Sequence, residues 1–256
     1  MTDPAVLVAQ DGPVRTLTLN RPSRRNALDL DDRRELLTAL RAAEGDRSCR
    51  AVVLTGARGV FCAGGDIRSM SQDPEVARAR LAVVNDIARA LVRSPKPVIS
   101  AVESGAFGLG LSLVAASDYV VAAQDARFVA SFAKLGLTAD TGLFWSLSQR
   151  VGPGRAKEII LLAGELTAEQ AHGMGLLSEV VPAAEVMDRA MERAGQLAAA
   201  SPAMVAGTKR IFAQDRQDLE SVLAAEAEVQ VELLAGDDFA EGRAAFLERR
   251  TPAFTG

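Results

Sequence analysis

Two glycine-rich segments, each following a short apolar run, are the part of the sequence best suited to chemistry. They are Gly56–Asp66 (GARGVFCAGGD) and Ser104–Ser112 (SGAFGLGLS). Each leads into a helix-like segment, and helix N-termini present unpaired N–H groups with partial positive charge. Either segment alone is typical of an ordinary strand-to-helix turn. As a pair, they predict that the N–H groups of Gly65 and Leu109 bind one oxygen, forming an oxyanion hole for a carbonyl that becomes an enolate or tetrahedral anion.

The elements needed to position these segments alternate between strand and helix. Apolar runs at Ala51–Thr55 and Val98–Val102 predict buried strands that end where the glycine segments begin. A helix over Gly108–Ala116 and a strand over Tyr119–Ala123 are expected next. This order predicts an α/β fold with mainly parallel pairing. The other elements predicted in the first half are a hairpin of strands Val6–Gln10 and Val14–Leu19, and helices over Asp29–Gly45 and Pro74–Arg93.

The second half of the chain is predicted to be almost entirely helical, with one strand within Leu176–Val181. The alanine-rich, amphipathic pattern of the last helices predicts that they pack on the core, on a partner subunit, or on both. We therefore expect an α/β core with the substrate site over residues 1–199 and a C-terminal helical region over residues 200–256. The predicted helices are Pro153–Ala163, Thr167–His172, Glu185–Ala199, Pro202–Gln214 and Leu219–Leu247.

Composition narrows the classes of function. The chain has 256 residues and a formal net charge of -4, and its pI is near 5.3, which argues against a nucleic-acid partner. Two cysteines and a single histidine, His172, argue against a disulfide framework, a zinc site and serine-hydrolase chemistry. The sequence shows no signal peptide, and its most apolar region is interrupted by glycine, serine and aspartate. We expect a cytoplasmic protein with no metal site and no membrane partner.

Several motifs, in order along the chain, carry a resemblance to a known family. They are RPSRRNALD, VVLTGARGVFCAGGDI, PKPVISAVESGAFGLGLSLVAASDYVVA, GLLSEVVP and EGRAAFLERRTPAF. Together they resemble the crotonase, or enoyl-CoA hydratase/isomerase, superfamily over nearly the whole length. The resemblance implies a crotonase (ClpP-like) spiral of β-β-α units, a C-terminal helical region that forms homotrimers or dimers of trimers, and an acyl-CoA thioester as substrate. It implies no separate cofactor, because coenzyme A is part of the substrate, and it assigns the oxyanion donors to Gly65 and Leu109.

Two positions depart from the hydratase pattern of this family. Hydratases have one glutamate two residues after the last glycine of the second segment and another in the strand-to-loop segment that follows. Here these positions are Ser112 and Phe132. Addition of water across a double bond needs groups that activate the water and deliver a proton, so the usual hydratase mechanism is not expected. Ser112 is interpreted as a small buried residue bonded to its helix backbone or, alternatively, as a polar contact with the substrate.

One carboxylate remains in a suitable place. Asp140, in the segment Lys134–Gly142 (KLGLTADTG), resembles the aspartate that isomerase members of the family, such as the 1,2-epoxyphenylacetyl-CoA isomerase-like proteins, use as acid and base. A double bond moves from the 3- to the 2-position when one base takes a proton from the α-carbon and returns it to the γ-carbon. The alternative is that Asp140 is the N-cap of the helix that follows it.

The resemblance also implies where the coenzyme A and the acyl group bind. It places the adenine and phosphate groups near Arg24, Arg25 and Arg68, because the planar fork of arginine suits phosphate. The alternative is that these arginines are simply solvated. Leucine at position 109 and nearby aromatic side chains are expected to shape an apolar acyl pocket. The candidate substrate-binding residues are Arg25, Ala27, Ala63, Arg68, Gly110, Ser112, Phe132 and Trp145, with Arg24 beside them.

Three functions follow from these residues. The first is an acyl-CoA isomerase that uses Asp140 and the oxyanion hole of Gly65 and Leu109. The second is a hydratase with an unusual acid such as Glu103. The third is an acyl-CoA-binding oligomer without catalytic activity, which fits the missing glutamates equally well.

Overall fold

The computed structural model describes residues 3–214 and 218–255. Two sheets and a series of helices follow one another in the predicted α/β order. The strands are β1 (Val6–Asp11), β2 (Val14–Leu19), β3 (Ala51–Gly56), β4 (Val98–Val102), β5 (Gly105–Phe107), β6 (Tyr119–Ala123), β7 (Arg127–Val129), β8 (Leu166–Thr167) and β9 (Glu179–Val181). The helices are α1 (Leu30–Gly45), α2 (Pro74–Val92), α3 (Leu109–Ala116), α4 (Leu143–Val151), α5 (Pro153–Leu162), α6 (Ala168–Gly173), α7 (Val186–Ala199), α8 (Pro202–Phe212), α9 (Leu219–Leu234) and α10 (Asp237–Glu248).

The larger sheet has the strand order β1-β2-β3-β4-β6-β9. Only the β1–β2 hairpin is antiparallel, and the other neighbours pair in parallel, as the sequence predicts. Strands β3 and β4 are buried along their whole length, which is why they read as unbroken apolar runs rather than as alternating patterns. Helix α7 packs on β2, β3, β4 and β6, and its alanines Ala190, Ala194 and Ala198 are buried at a four-residue spacing that forms one helix face.

The smaller sheet, in the order β5-β7-β8, was not predicted. It is extended by isolated parallel bridges from Cys62 to Ala106 and from Leu28 to Gly65. Successive units of the chain therefore contribute one long strand to the larger sheet, one short strand or bridge to the smaller one, and then a helix. The carboxyl ends of the long strands and the short second layer meet at the two glycine segments.

The C-terminal half differs from the predictions at four places. Helix α4 was expected only under the alternative that Asp140 caps a helix, and the strand expected over Leu176–Val181 is confined to β9. The helix predicted over Pro202–Gln214 ends at Phe212. The single helix predicted over Leu219–Leu247 is two helices, since α9 ends before Gly236 and α10 begins after it. No helix in the described part of the chain is long and apolar enough to cross a membrane.

Candidate active site

Backbone hydrogen bonds join the two glycine segments. Phe107 N–H donates to the Cys62 carbonyl at 2.9 Å, and Cys62 N–H donates to the Gly105 carbonyl at 3.4 Å. The backbones approach so closely that side chains are excluded: a Cβ on Gly64 would lie 2.9 Å from the Phe107 oxygen, and a Cβ on Gly110 would lie 2.5 Å from the Cys62 oxygen. Glycine is needed at both positions for this contact, and Gly64 also has a φ of 111°.

The two predicted oxyanion donors face away from the hydrogen bonds that hold these segments. Leu28 N–H donates to the Gly64 carbonyl at 2.9 Å and Asp66 N–H donates to the Leu28 carbonyl at 3.0 Å. In a parallel bridge this leaves the N–H of Gly65 on the opposite side. Leu109 is the first residue of α3, where N–H groups have no partner within the helix, and its nitrogen lies 3.8 Å from the place a Cβ of Gly64 would occupy. Within the described residues, neither N–H donates a hydrogen bond.

Asp140 lies in a loop that is tied to the second glycine segment. The Ser112 hydroxyl is 3.3 Å from the Asp140 carbonyl and 3.4 Å from the Gly108 carbonyl, and it donates to these oxygens. The interpretation of Ser112 as a buried residue bonded to its own helix is therefore confirmed, and its second contact holds the Asp140 loop against α3.

Two consecutive left-handed residues follow Asp140. Thr141 has a φ of 55° and Gly142 a φ of 71°. Because a β-branched residue rarely adopts this conformation, Thr141 stores strain of about 1–3 kcal/mol. Thr141 is fully buried, and its hydroxyl donates to Asp140 Oδ1 at 2.8 Å. The N-cap of α4 is Gly142, with no side-chain capping bond, so the alternative that Asp140 is the helix cap is wrong.

Two arginines that were not among the predicted site residues reach the first glycine segment. Arg33 Nη2 would lie 2.4 Å and Arg80 Nη2 3.0 Å from a Cβ on Gly65. Arg33 is only 3% exposed. One signal in the sequence could have identified Arg33: it shares a helix face with the buried residues Leu36, Leu37 and Leu40, where an apolar residue is normal. No comparable signal marks Arg80.

The electrostatics of this corner link the arginines to Asp140. The pKa of Arg33 is lowered to about 10, mainly by burial and also by the nearby charge of Arg80, while the carboxylate of Asp140 opposes both effects. Burial also lowers the pKa of Arg80, and Asp140 is the strongest of the charges that oppose this change. Two guanidinium groups and the predicted catalytic carboxylate therefore lie within electrostatic reach of one another.

The apolar side chains predicted to surround the acyl group are only partly brought together. Phe132 is buried, and its Cζ would lie 4.0 Å from a Cβ on Gly108. Trp145 lines a cavity of about 440 Å³ with residues of α3 and α8, and none of Gly65, Leu109 and Asp140 lines that cavity. Phe144 is 54% exposed. The structure thus does not place Trp145 in an apolar acyl pocket beside Asp140.

The predicted coenzyme A residues differ in how free they are to bind. Arg24 pairs with three carboxylates, those of Asp29, Asp32 and Asp66, at 2.6–3.1 Å. The expectation that Arg24 lies with the phosphate ligands is therefore corrected, because its charge joins the start of α1 to the end of the first glycine segment. Asp66 thus has two structural roles: its side chain pairs with Arg24, and it accepts from Arg68 N–H and caps a short helical turn.

Arg25 and Arg68 are different, because both are exposed and neither forms an ion pair within the described chain. The Arg25 guanidinium lies 5.8 Å from the ring centre of Phe107, and its carbonyl accepts from Ala63 N–H at 3.0 Å. Ala27 and Ala63 are half-buried, and Ala63 belongs to the first glycine segment. Two exposed arginines without ion pairs in the described chain, Arg25 and Arg68, therefore flank the segment that contains Gly65.

Glu103, the acid considered for a hydratase, points to a different place. Its Oε2 would lie 3.1 Å from a Cβ on Gly59, at the start of the first glycine segment rather than at Gly65. In the described chain, no group of three or more histidine, cysteine or acidic side chains has the arrangement of a metal site.

The comparison with known proteins decides the family. The model for the enoyl-CoA hydratase/isomerase family matches residues 10–256. The chain belongs to this family. It is 38% identical over 250 residues to 1,2-epoxyphenylacetyl-CoA isomerase of Escherichia coli K12, with 95% of each chain covered. It is 39% identical over 242 residues to a probable enoyl-CoA hydratase of Rhodobacter capsulatus, covering 94% of this chain and 93% of the relative.

Solved structures confirm the fold. The crystal structure of an enoyl-CoA hydratase from Polaromonas sp. JS666 superposes with a TM-score of 0.92 at 35% identity, covering 97% of this chain and 99% of that one. An enoyl-CoA hydratase from Bacillus anthracis gives a TM-score of 0.93 at 30% identity. The predicted crotonase spiral is therefore confirmed, and the chain is an enzyme of a family whose members bear both isomerase and hydratase names.

Proposed function

We propose that this enzyme is an acyl-CoA isomerase that moves a double bond from the 3- to the 2-position of the acyl chain. The observation that supports this most is the loop of Asp140. Ser112 of α3 bonds the backbone carbonyl of Asp140, and the Asp140 carboxylate acts on the charges of Arg33 and Arg80 beside Gly65. The positions of the hydratase glutamates are occupied by Ser112 and Phe132. One acid/base group serves isomerisation, whereas hydration needs a group to activate water as well.

In this mechanism the thioester oxygen accepts hydrogen bonds from the N–H groups of Gly65 and Leu109. The Asp140 carboxylate removes a proton from the α-carbon, and the electron pair moves onto the thioester oxygen to give a dienolate. The dienolate then takes the proton back from Asp140 at its γ-carbon, so atoms and charge balance. Each backbone donor stabilises the oxyanion by about 2.7–4 kcal/mol in comparable sites. The coenzyme A would extend past Ala63 and Ala27, with its phosphates near Arg25 and Arg68.

The test is proton exchange and product analysis in heavy water with 3-enoyl-CoA and 2-enoyl-CoA. We expect deuterium at the α- and γ-carbons and a shifted double bond, and we expect Asp140→Asn to lower the rate by about 10²–10⁴-fold. The matched control is Asp125→Asn, which removes the same charge from an exposed turn between β6 and β7. If Asp140→Asn isomerises at the parental rate, the mechanism is wrong.

The same assay separates the other functions. Formation of 3-hydroxyacyl-CoA from 2-enoyl-CoA would identify a hydratase, the name that the Rhodobacter capsulatus relative carries. Tight binding of thioesters without any α-proton exchange would identify an acyl-CoA-binding protein without catalytic activity.

We also propose that the C-terminal helices join copies of the chain as a homotrimer or a dimer of trimers. Large apolar side chains remain exposed on α9 and α10, among them Val231, Phe239, Phe246 and Leu247. Such surface on a single copy is typical of an interface. Light scattering during size-exclusion chromatography would give the mass, and a monomer at micromolar concentration would contradict this proposal.

A further inference from the structure

Two arginines of the candidate site, the buried Arg33 and the half-buried Arg80, each have a guanidinium nitrogen without a hydrogen-bond partner in the described chain. Arg33 is 3% exposed, and its Nε is a buried donor for which the described chain supplies no acceptor. Arg80 Nη2 is in the same condition. Neither side chain forms an ion pair with a described residue. A buried charge without a hydrogen-bonded partner is strongly unfavourable, so the fold keeps these groups there against a cost in stability.

Both groups converge on one point beside the oxyanion donors. The Nη2 atoms of Arg33 and Arg80 and the Cε of Met70 all lie within 3.2 Å of the position that a Cβ on Gly65 would occupy. The arginines come from different helices, α1 and α2, so only the tertiary fold brings them together. Gly65 leaves this space open, and any larger residue would push the guanidinium groups out of it.

The charges at this point do not balance. Arg33 and Arg80 repel each other, which contributes to the lowered pKa of Arg33. Asp140 is the strongest opposing charge on both, but it is not close enough to either to form an ion pair. Asp29 and Asp66 also act on these arginines, but both are paired with Arg24. Among these acidic groups of the described chain, Asp140 is therefore the one without an ion pair, and it faces two guanidinium groups. An additional anion of one charge would neutralise the cluster and accept the unused N–H donors.

We propose that Arg33 and Arg80 bind a carboxylate carried by the acyl group, so that the substrates are coenzyme A thioesters of short unsaturated dicarboxylic acids. This inference rests on the proposed function for the position of the thioester at Gly65. The paired planar forks of two arginines suit a carboxylate, which accepts two parallel hydrogen bonds from each fork. Because the arginines reach the oxyanion segment itself, the carboxylate is separated from the thioester by only a few carbons.

The test measures binding rather than turnover. Saturated thioesters cannot isomerise, so isothermal titration calorimetry can compare glutaryl-CoA with pentanoyl-CoA, and adipyl-CoA with hexanoyl-CoA, at equal chain length. We expect at least one dicarboxylic thioester to bind about tenfold or more tightly than its neutral partner, as hydrogen bonds to a charged group predict. Arg33→Met and Arg80→Met should each reduce this preference to threefold or less and leave the neutral thioester bound as before.

Two controls keep the result interpretable. Arg78→Met removes an exposed arginine from the same helix as Arg80, one that pairs with Glu75 and with no other described residue, and it should leave the preference intact. Thermal unfolding should show a higher Tm for Arg33→Met than for the parent, because the variant removes a buried, unpaired charge. If Arg33→Met fails to fold, Arg80→Met, whose side chain is only half-buried, carries the test.

Each other outcome overturns the inference in a distinguishable way. Equal binding of neutral and dicarboxylic thioesters by the parent would refute the carboxylate site and leave the isomerase proposal standing. If both arginine variants weaken neutral and dicarboxylic thioesters alike, the arginines serve the thioester oxygen and not the acyl group. If no thioester binds at all, the proposed function fails together with the inference.

Discussion

The contact between the two glycine segments should control catalysis, and Gly110→Ala tests it. A Cβ at Gly110 would lie 2.5 Å from the Cys62 carbonyl oxygen and 2.9 Å from the Cys62 Cβ, whereas ordinary contact begins at 3.4 Å. The neighbouring atoms belong to backbone or to a short side chain, so they cannot rotate away. The segments must therefore separate by about 0.9 Å, or α3 must tilt, and either change moves Leu109 N–H relative to Gly65 N–H.

The size of the effect follows from the donor geometry. A misplacement of about 1 Å can cost about 10²-fold in rate, and the loss of one oxyanion donor costs about 10²–10³-fold in kcat. We therefore expect kcat for α-proton exchange to fall by about 10²-fold or more. The effect on stability should be small, because overpacking costs about 1–3 kcal/mol and replacing a helical glycine by alanine returns about 1 kcal/mol.

The assay is the rate of α-proton exchange in heavy water, with urea unfolding measured on the same preparations. Gly195→Ala in α7 is the matched control, since a Cβ there meets nothing within 4 Å. It should raise the free energy of unfolding by about 1 kcal/mol without changing the exchange rate. A folded Gly110→Ala variant with a rate within threefold of the parent would show that this contact does not place the donors.

Two further predictions concern Asn26 and Cys62. Asn26 is fully buried; its side-chain oxygen Oδ1 accepts from Arg21 N–H at 2.8 Å, and its Nδ2 donates to the Val60 carbonyl at 2.5 Å. Asn26→Ala should therefore lower the free energy of unfolding by about 3 kcal/mol in urea titrations, and a loss under 1 kcal/mol would contradict this role. Burial raises the pKa of the Cys62 thiol from 9.0 to about 12. Between these pH values the folded state keeps a proton that the unfolded state releases. The free energy of unfolding should therefore be unaffected by this group below pH 9 and should fall as the pH rises toward 12. Relative to Cys62→Ala, the parent should lose up to about 1.4 kcal/mol per pH unit above pH 9, and identical pH profiles for the two proteins would refute this.

The sequence predicts the parts of the fold that local patterns determine. Strands β2, β4 and β6 have the predicted bounds, because β4 and β6 are short apolar runs and β2 is a run of β-forming residues, and each ends at a polar residue. The short strands β5, β7 and β8 have two or three residues each, too few for any periodicity, so only their tertiary pairing defines them. The break between α9 and α10 has a local origin that the prediction missed, because Gly236 has low helix propensity and interrupts the helical pattern.

The residues of the candidate site likewise fall into those that a local motif marks and those that only tertiary packing brings together. Gly65, Leu109, Ser112 and Asp140 stand in motifs contiguous in the chain, and motif resemblance could assign them. Trp145 was grouped with them because it follows Asp140 closely in sequence, but a helical turn directs it into another cavity. The converse error concerns Arg33 and Arg80, whose proximity depends on how two helices pack and on the missing side chain at Gly65.

Two local rules are broken close to Asp140, and this supports a functional role for its loop. Thr141 is a buried β-branched residue in a left-handed conformation, and Arg33 is a buried cation on an otherwise apolar helix face. Strain and unpaired charge reduce stability wherever they occur, and they persist where the surrounding structure requires them for activity. Both features adjoin Asp140, one through its backbone and the other through its charge. In the proposed mechanism the strained loop would hold the Asp140 carboxylate for proton transfer, and in the proposed acyl site Arg33 and Arg80 would select an anionic acyl group.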